Sequence, residues 1–129
     1  MGCIIWHYPQ NVLFSEKLND ALSRLYSYDL VMRVDADEVV SSELARSIID
    51  VTLYDRYLLP AYSVTRRLSF FSRHLLWGGT VTNPIRLYNP KYISYQKTRI
   101  DEHLNLNGFS SARLKGQIYD NPLHSYSHW

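Results

Sequence analysis

An acidic cluster directly follows an apolar run near position 30, and its residue types are those that bind a divalent cation. The cluster reads Asp35-Ala36-Asp37-Glu38, and the run at 29–34 before it has the composition of a buried strand. In open α/β sheets, ligands bind at the carboxyl ends of strands. Carboxylates at Asp35 and Asp37, with Glu38 beside them, suit Mg²⁺ or Mn²⁺ when substrate phosphates fill the remaining positions. A solvated turn before a helix has the same pattern, so both interpretations stay open on these residues alone.

The segments on either side of the cluster predict helix, strand, acidic loop and helix in that order. We expect a first helix from Ser15 to about Tyr26, because leucines at 18, 22 and 25 fall on one face. A strand over 30–34 follows, and a second helix begins at Ser41 or Ser42. This order is typical of the repeating unit of a parallel sheet.

The second half of the chain predicts shorter strands. Apolar and polar residues alternate over 61–68, and further strands are expected at 84–88 and 92–96, joined by a turn at Asn89-Pro90. A loop at 105–111 and a final helix within 115–129 complete the pattern. The fold class is therefore α/β, a mixed sheet flanked by helices. We treat 1–129 as one domain, with the acidic cluster in 1–58 and a second part in 59–129.

Composition limits the class of protein and its partners. The 129 residues carry a net charge of +2 and 46% hydrophobic residues, which is ordinary for one globular domain and too weakly basic to indicate nucleic acid. The single cysteine, Cys3, excludes an internal disulfide and fits a reducing compartment. No apolar stretch has the length of a transmembrane segment. We expect a cytoplasmic protein, with peripheral contact at the inner face of the membrane as the alternative.

Several segments, taken in order, resemble glycosyltransferase family 2, a family with the GT-A fold. They are Leu18-Asn19-Asp20-Ala21-Leu22, the apolar strand with its Asp-x-Asp type motif, Pro84-Ile85-Arg86-Leu87-Tyr88, Ile100-Asp101-Glu102-His103-Leu104, and Asp120-Asn121-Pro122-Leu123. The Asp-Ala-Asp-Glu variant is common in members that assemble bacterial lipopolysaccharide and capsule. The resemblance covers roughly 11–129 and implies transfer of a sugar, with inversion, from a nucleotide-diphospho-sugar donor to a saccharide or lipid-linked acceptor in envelope polysaccharide synthesis.

The resemblance also implies roles for particular residues. Asp37 becomes the direct ligand of Mn²⁺ or Mg²⁺, and Asp35 contacts the metal or the donor ribose. Glu38 either braces the loop or approaches the donor sugar. The general base that takes the proton of the acceptor hydroxyl is Asp101 or Glu102.

Positive and aromatic residues complete the expected site. Arginine matches phosphate oxygens with two hydrogen bonds, so Arg86 is a candidate for donor binding. The other arginine candidates are Arg66, Arg67 and Arg73. Trp77, Gly78 and Gly79 read either as a mobile acceptor loop with a ring that stacks on a sugar, or as a turn beside a core tryptophan.

Alternatives of other classes compete with this hypothesis. The segment that in the family holds the nucleotide base is missing at the start, so we expect a fragment, and an inactive remnant or non-catalytic binding module is the main alternative. A zinc site at His124 and His128 has helical ligand spacing but lacks a His-Glu-x-x-His motif. A calcium loop beginning at Asp35 fails because its sixth position is Val40 rather than glycine.

Overall fold

The computed structural model describes residues 3–54, 58–70, 73–74, 81–96 and 104–120. These residues form a mixed α/β protein. Its elements are α1 (Phe14–Arg24), β1 (Val31–Met32), β2 (Glu38–Val40), α2 (Ser42–Tyr54), β3 (Ala61–Phe70), β4 (Arg73–His74), β5 (Val81–Thr82), β6 (Ile85–Tyr88), β7 (Ser94–Tyr95), β8 (Leu104–Asn105) and β9 (Ser111–Asp120). Neither of the helices in these ranges has the length and apolar composition of a membrane span.

The described strands form a mixed sheet in the order β1-β6-β3-β9-β2, and β4 and β5 also pair with β3. Only β3 and β9 run parallel, and the other pairs are antiparallel. Strands β7 and β8 form a separate antiparallel pair. The expectation of a repeating parallel unit is therefore wrong, because β1 and β2 on either side of the acidic turn both pair antiparallel to later strands.

Two apolar cores lie on opposite faces of this sheet. Tyr62 and Leu87 pack in one core with Leu44 of α2, whereas their neighbours Ala61 and Tyr88 pack in the other core with α1. Successive residues of a strand point to opposite faces, so this alternation places one helix on each side. The predicted mixed sheet flanked by helices is confirmed at this level.

The helix starts follow from how their first N–H groups are satisfied. Ser41 caps α2, since its hydroxyl oxygen accepts a hydrogen bond from the Leu44 N–H at 3.1 Å. At α1, the Glu16 carboxylate accepts from the Leu13 N–H at 3.4 Å, and the helix begins at Phe14. Ser15, from which we expected the helix to run, lies in its first turn and is 1% exposed.

The final segment differs from the sequence expectation. Residues 111–120 form strand β9, so a helix starting near Lys115 is wrong for the described part of that segment. Gly116 has a φ of +92°, and the register between β3 and β9 shifts at this point. A Cβ atom at Gly116 would lie 2.2 Å from the Leu44 backbone nitrogen. The absence of a side chain therefore lets β9 approach the first turn of α2.

Candidate functional site

The acidic cluster forms a tight turn between β1 and β2. The Glu38 N–H donates to the Asp35 carbonyl oxygen at 3.0 Å, which closes the turn. The Glu38 carboxylate also accepts a hydrogen bond from the Asp35 N–H at 2.9 Å. Asp35 is half-buried, Asp37 is exposed and Glu38 is buried, so adjacent carboxylates of one motif lie in different environments.

Glu38 is the anchor of this turn. Its carboxylate is fully buried and accepts two hydrogen bonds from Arg86, at 2.9 and 3.2 Å, and one from the Arg66 Nε at 3.1 Å. Together with the Asp35 N–H, these donors occupy both carboxylate oxygens. Of the two roles considered for Glu38, this geometry favours bracing of the loop, because its side chain has no exposed surface for a ligand.

Arg66 extends the network to the last described strand. Its guanidinium donates to both oxygens of Asp120, at 3.0 and 2.5 Å, in addition to Glu38. Burial raises the pKa of the Asp120 carboxyl, and the nearby negative charges of Glu38 and Asp37 add to this increase, while Arg66 opposes it. The end of β9 and the acidic turn therefore share one electrostatic environment.

Asp35 faces two arginines. The Arg33 Nε lies 3.2 Å from its Oδ1 atom, and the Arg86 Nη1 lies 3.7 Å from the same oxygen. The guanidinium carbon of Arg33 lies 5.3 Å from the centre of the Phe14 ring and 5.8 Å from that of Tyr95. Arg33 is thus held between two aromatic rings, a favourable arrangement for a cation.

A cavity of about 450 Å³ opens in front of these side chains. Its wall contains Arg33, Asp35, Arg66, Pro84, Ile85, Arg86, Tyr95 and Leu104. The polar groups of this wall are three guanidinium groups and one carboxylate, and the guanidinium groups of Arg66 and Arg86 already pair with Glu38. The volume of the cavity lies within the range typical of small-molecule sites.

The aromatic side of the cavity is fixed by hydrogen bonds. The Asn19 side chain of α1 accepts from the Tyr95 N–H at 2.8 Å and donates to the Tyr95 carbonyl oxygen at 2.9 Å. The hydroxyl groups of Tyr95 and Tyr88 lie 2.6 Å apart, and burial raises the pKa of Tyr88. The Tyr88 phenol therefore stays neutral near pH 7, and Asn19 of α1 holds the backbone of Tyr95 at the cavity.

Asp35 and Asp37 are the carboxylates of the turn that could hold a divalent cation, since Glu38 is buried and paired. No group of three or more histidine, cysteine or acidic side chains in the described ranges is arranged to hold a metal alone. Mg²⁺ is commonly bound by one or two carboxylates together with substrate phosphates, and Asp35 and Asp37 can supply these. No hydrogen bond or ion pair engages the exposed Asp37 carboxylate with another side chain of the described chain.

The structure brings some of the sequence-predicted residues together. Asp35, Arg66 and Arg86 line the cavity, while Arg67 instead donates a hydrogen bond to Gln117. The candidates that lie outside the described residues are Trp77, Gly78, Gly79, Asp101, Glu102, His103, His124 and His128.

Two residues of this site were not expected from the sequence. Arg33 reads as part of an apolar strand, although a charged residue inside such a run was a usable signal. Asp120 lay in a segment quoted for resemblance, but its pairing with Arg66 depends on the parallel alignment of β3 with β9. That long-range alignment leaves no local signal in the sequence.

Comparison with known proteins identified no relative: no protein-family model, curated protein or solved structure matches this chain.

Proposed function

We propose that this chain is the catalytic part of a metal-dependent glycosyltransferase of the GT-A type, similar to family 2. It moves a sugar, with inversion, from a nucleotide-diphospho-sugar to a saccharide or lipid-linked acceptor. One observation carries this proposal: a braced turn holds Asp35 at a cavity that also contains three arginines, with Asp37 exposed beside it. This combination suits a diphosphate and its cation better than a neutral ligand.

The proposed role of each side chain follows from how exposed it is. Asp35 and Asp37 would hold Mn²⁺ or Mg²⁺, which when bound acts as a Lewis acid toward the diphosphate leaving group. Arg33 lies at the cavity wall, where its guanidinium contacts the Phe14 and Tyr95 rings and pairs with Asp35, and it would add positive charge beside the diphosphate. Glu38 keeps the turn in place from behind.

The general base is assigned by the family resemblance alone. Asp101 and Glu102 precede Leu104, a residue of the cavity wall, by three and two positions in the sequence. Substitution of the base should lower the transfer rate by roughly 10²–10⁴. Asp101→Asn and Glu102→Gln, assayed with a donor that supports transfer, separate the base from its neighbour. If neither variant slows transfer, the base lies elsewhere.

The first test is calorimetric titration of UDP with and without Mn²⁺. We expect Mn²⁺-dependent binding by the unmodified chain, loss of that binding in Asp37→Asn, and retention in Asp50→Asn, which removes an exposed carboxylate of α2. If UDP binds equally well without Mn²⁺ and in Asp37→Asn, the acidic turn is not part of the donor site. If the chain is folded but does not bind UDP, the proposal that this chain binds the donor is wrong.

Sugar transfer is the second test. Asp37→Ala should abolish metal-dependent transfer because it removes the expected direct ligand. Near-full transfer by this variant would exclude the assignment of Asp37. UDP binding that depends on Mn²⁺ but supports no transfer with any tested donor would favour a non-catalytic binding module.

A further inference from the structure

Two exposed aromatic rings lie side by side on the surface next to the cavity. Tyr92 is 48% exposed and Phe109 is 43% exposed, and their ring centres are 5.4 Å apart with an angle of 53° between the planes. Apolar side chains scattered singly on a surface need no explanation, whereas these two rings are in contact and form one small exposed apolar patch. We call Tyr92 and Phe109 the aromatic platform.

The platform rests on two tight turns that hydrogen bonds hold in place. The Tyr92 N–H donates to the Asn89 carbonyl oxygen at 3.2 Å in one turn. In the other, the Phe109 N–H donates to the Leu106 carbonyl oxygen at 3.0 Å. The Asn107 side chain then donates to the Tyr92 carbonyl oxygen at 2.8 Å and joins the two turns.

The second turn needs an unusual backbone, and its sequence supplies it. Asn107 and Gly108 both have positive φ, +52° and +83°, and the pair Asn-Gly is favoured where two successive residues adopt such angles. A Cβ atom added to Gly108 would meet nothing within 4 Å, so the space beside the platform is open. The rings are therefore ordered before any ligand arrives and accessible to one.

The polar groups around the platform are amides. Asn105 accepts from the Asn107 N–H at 2.9 Å through its oxygen, which leaves its NH₂ group for another partner. Asn107 uses its NH₂ group on Tyr92, which leaves its side-chain oxygen. Both side chains are exposed. Aromatic faces combined with outward amide donors and acceptors match the C–H faces and hydroxyl groups of a sugar.

The turn that carries Tyr92 leads into the β7–β8 pair, which forms part of the cavity wall. Tyr95 and Leu104 are paired residues of this ladder and both line the cavity. Tyr92 precedes Tyr95 by three residues, so their Cα atoms lie at most roughly 11 Å apart. A short oligosaccharide can reach from the cavity to the platform.

We infer that Tyr92 and Phe109, with Asn105 and Asn107, bind a neutral oligosaccharide, which in the proposed reaction is the acceptor chain distal to its reacting hydroxyl. This inference rests on the proposed function for the ligand's role, and on the platform itself for its chemistry. The turns at 89–92 and 106–109 contain one charged residue, Lys91. One positive charge is too few to indicate a phosphate-bearing ligand, so a neutral ligand is favoured. The apolar surface is two rings, which suits stacking of sugars better than a lipid chain.

The test is titration of the ¹⁵N-labelled chain with maltotetraose, cellotetraose and chitotetraose, each to 10 mM, in the absence of metal and nucleotide. We expect at least one of these sugars to shift the NMR signals of Tyr92, Phe109 and the side-chain amides of Asn105 and Asn107. Phe109→Leu, which retains apolar volume but removes the ring, should weaken that binding by about tenfold. Tyr54→Ala, which removes an exposed ring at the end of α2, should leave it unchanged.

Several outcomes would overturn the inference. They are no shift at the platform with any of the three sugars, equal affinity in Phe109→Leu, and dimerisation of the chain that Phe109→Leu abolishes, since the rings would then bind a second copy. Phe109→Tyr keeps the ring and should retain binding, and the NMR spectrum of Phe109→Leu without sugar shows whether that variant is folded. If sugars bind but UDP with Mn²⁺ does not, the proposed glycosyltransferase function is wrong and the inference that the platform binds sugar is retained. If UDP binds with Mn²⁺ but no sugar binds, the platform is not a sugar site and the donor site is retained.

Discussion

Arg86 and Glu38 form a two-point ion pair inside the protein. The Arg86 Nη2 lies 2.9 Å from the Glu38 Oε1, and its Nη1 lies 3.2 Å from the Oε2. The arginine side chain is 8% exposed and the glutamate side chain is not exposed at all. A buried pair of this kind contributes little net stability over apolar residues, whereas loss of one partner is costly. The ion pair instead fixes the position of the acidic turn, because the Glu38 carboxylate also accepts a hydrogen bond from the Asp35 N–H.

Removal of the Glu38 charge should strongly destabilise the fold. In Glu38→Gln, the buried Arg86 loses its two-point partner and keeps only the Asp35 carboxylate at 3.7 Å, so we expect the free energy of unfolding to fall by about 3–5 kcal/mol. Chemical denaturation measures this change. Asp50→Asn, at an exposed position of α2, serves as the control and should change stability by less than about 0.5 kcal/mol. A loss below 1 kcal/mol in Glu38→Gln would contradict the anchoring role.

The Asp120 carboxyl should titrate above the ordinary aspartate pKa of 3.8. Burial is the main cause, and the charge of Asp37 adds to it. Asp37→Asn should therefore lower the Asp120 pKa, and Asp50→Asn should not. Carbon-detected NMR titration of the Asp120 carboxyl checks both variants. An unchanged pKa in Asp37→Asn would mean that the two carboxylates do not interact.

The same shift has a defined sign for stability. Because the native pKa of Asp120 is raised, the native state binds this proton more tightly than the unfolded chain does. The resulting contribution to stability is present below the ordinary pKa of 3.8 and is lost as pH rises through the native pKa. We expect Asp120→Asn to reduce that pH dependence, measured as the difference between unfolding free energies across this interval.

Gly116 and Gly108 form a matched pair for testing the approach of β9 to α2. Both have positive φ, but a Cβ atom would collide with the Leu44 backbone only at Gly116. Gly108→Ala should cost about 1–2 kcal/mol for its backbone angle alone. Gly116→Ala should cost several kcal/mol more, on the order of a disrupted core position. Equal losses in thermal denaturation would show that the close approach is not required.

Ser41 links three elements, and its removal should cost more than an ordinary helix cap. Its hydroxyl oxygen accepts from the N–H groups of Leu44 and Gln117, at 3.1 and 3.0 Å. Ser41→Ala leaves both donors without this partner, so we expect a loss of about 2–3 kcal/mol. Ser42→Ala, one position further, is the control and should be nearly neutral. A loss equal to that of Ser42→Ala would contradict the double role of Ser41.

Local signals predicted both described helices and four of the nine described strands, namely β1, β3, β6 and β7. The helix start at Ser41 or Ser42, the strand over 61–68 and the turn at Asn89-Pro90 each depend on residues close in sequence, and the structure contains all three. The β9 strand was missed because Gly116 and the mixed polarity of 111–120 hide its alternation. Its pairing partners β3 and β2 lie far away along the chain.

The candidate site was predictable in its residue types and less so in its arrangement. The acidic cluster was visible in the sequence because carboxylates follow an apolar run. The difference between the buried Glu38 and the exposed Asp37 was not, because it depends on Arg66 and Arg86 of two other strands. Arg33 is aligned by Phe14 and Tyr95. These rings lie far from Arg33 in the sequence, so local patterns could not predict the contact.

The pairing of β2 with β9 has a consequence for how the protein forms during its synthesis. Glu38 aligns with Asp120, so the ladder next to the acidic turn joins residues from early and late parts of the chain. Closing so long a loop costs entropy before any contact compensates for it, and such topologies fold slowly. On the ribosome, β2 has no partner strand until β9 has emerged from the exit tunnel. The acidic turn therefore completes its ladder with β9 only after Asp120 has been synthesised.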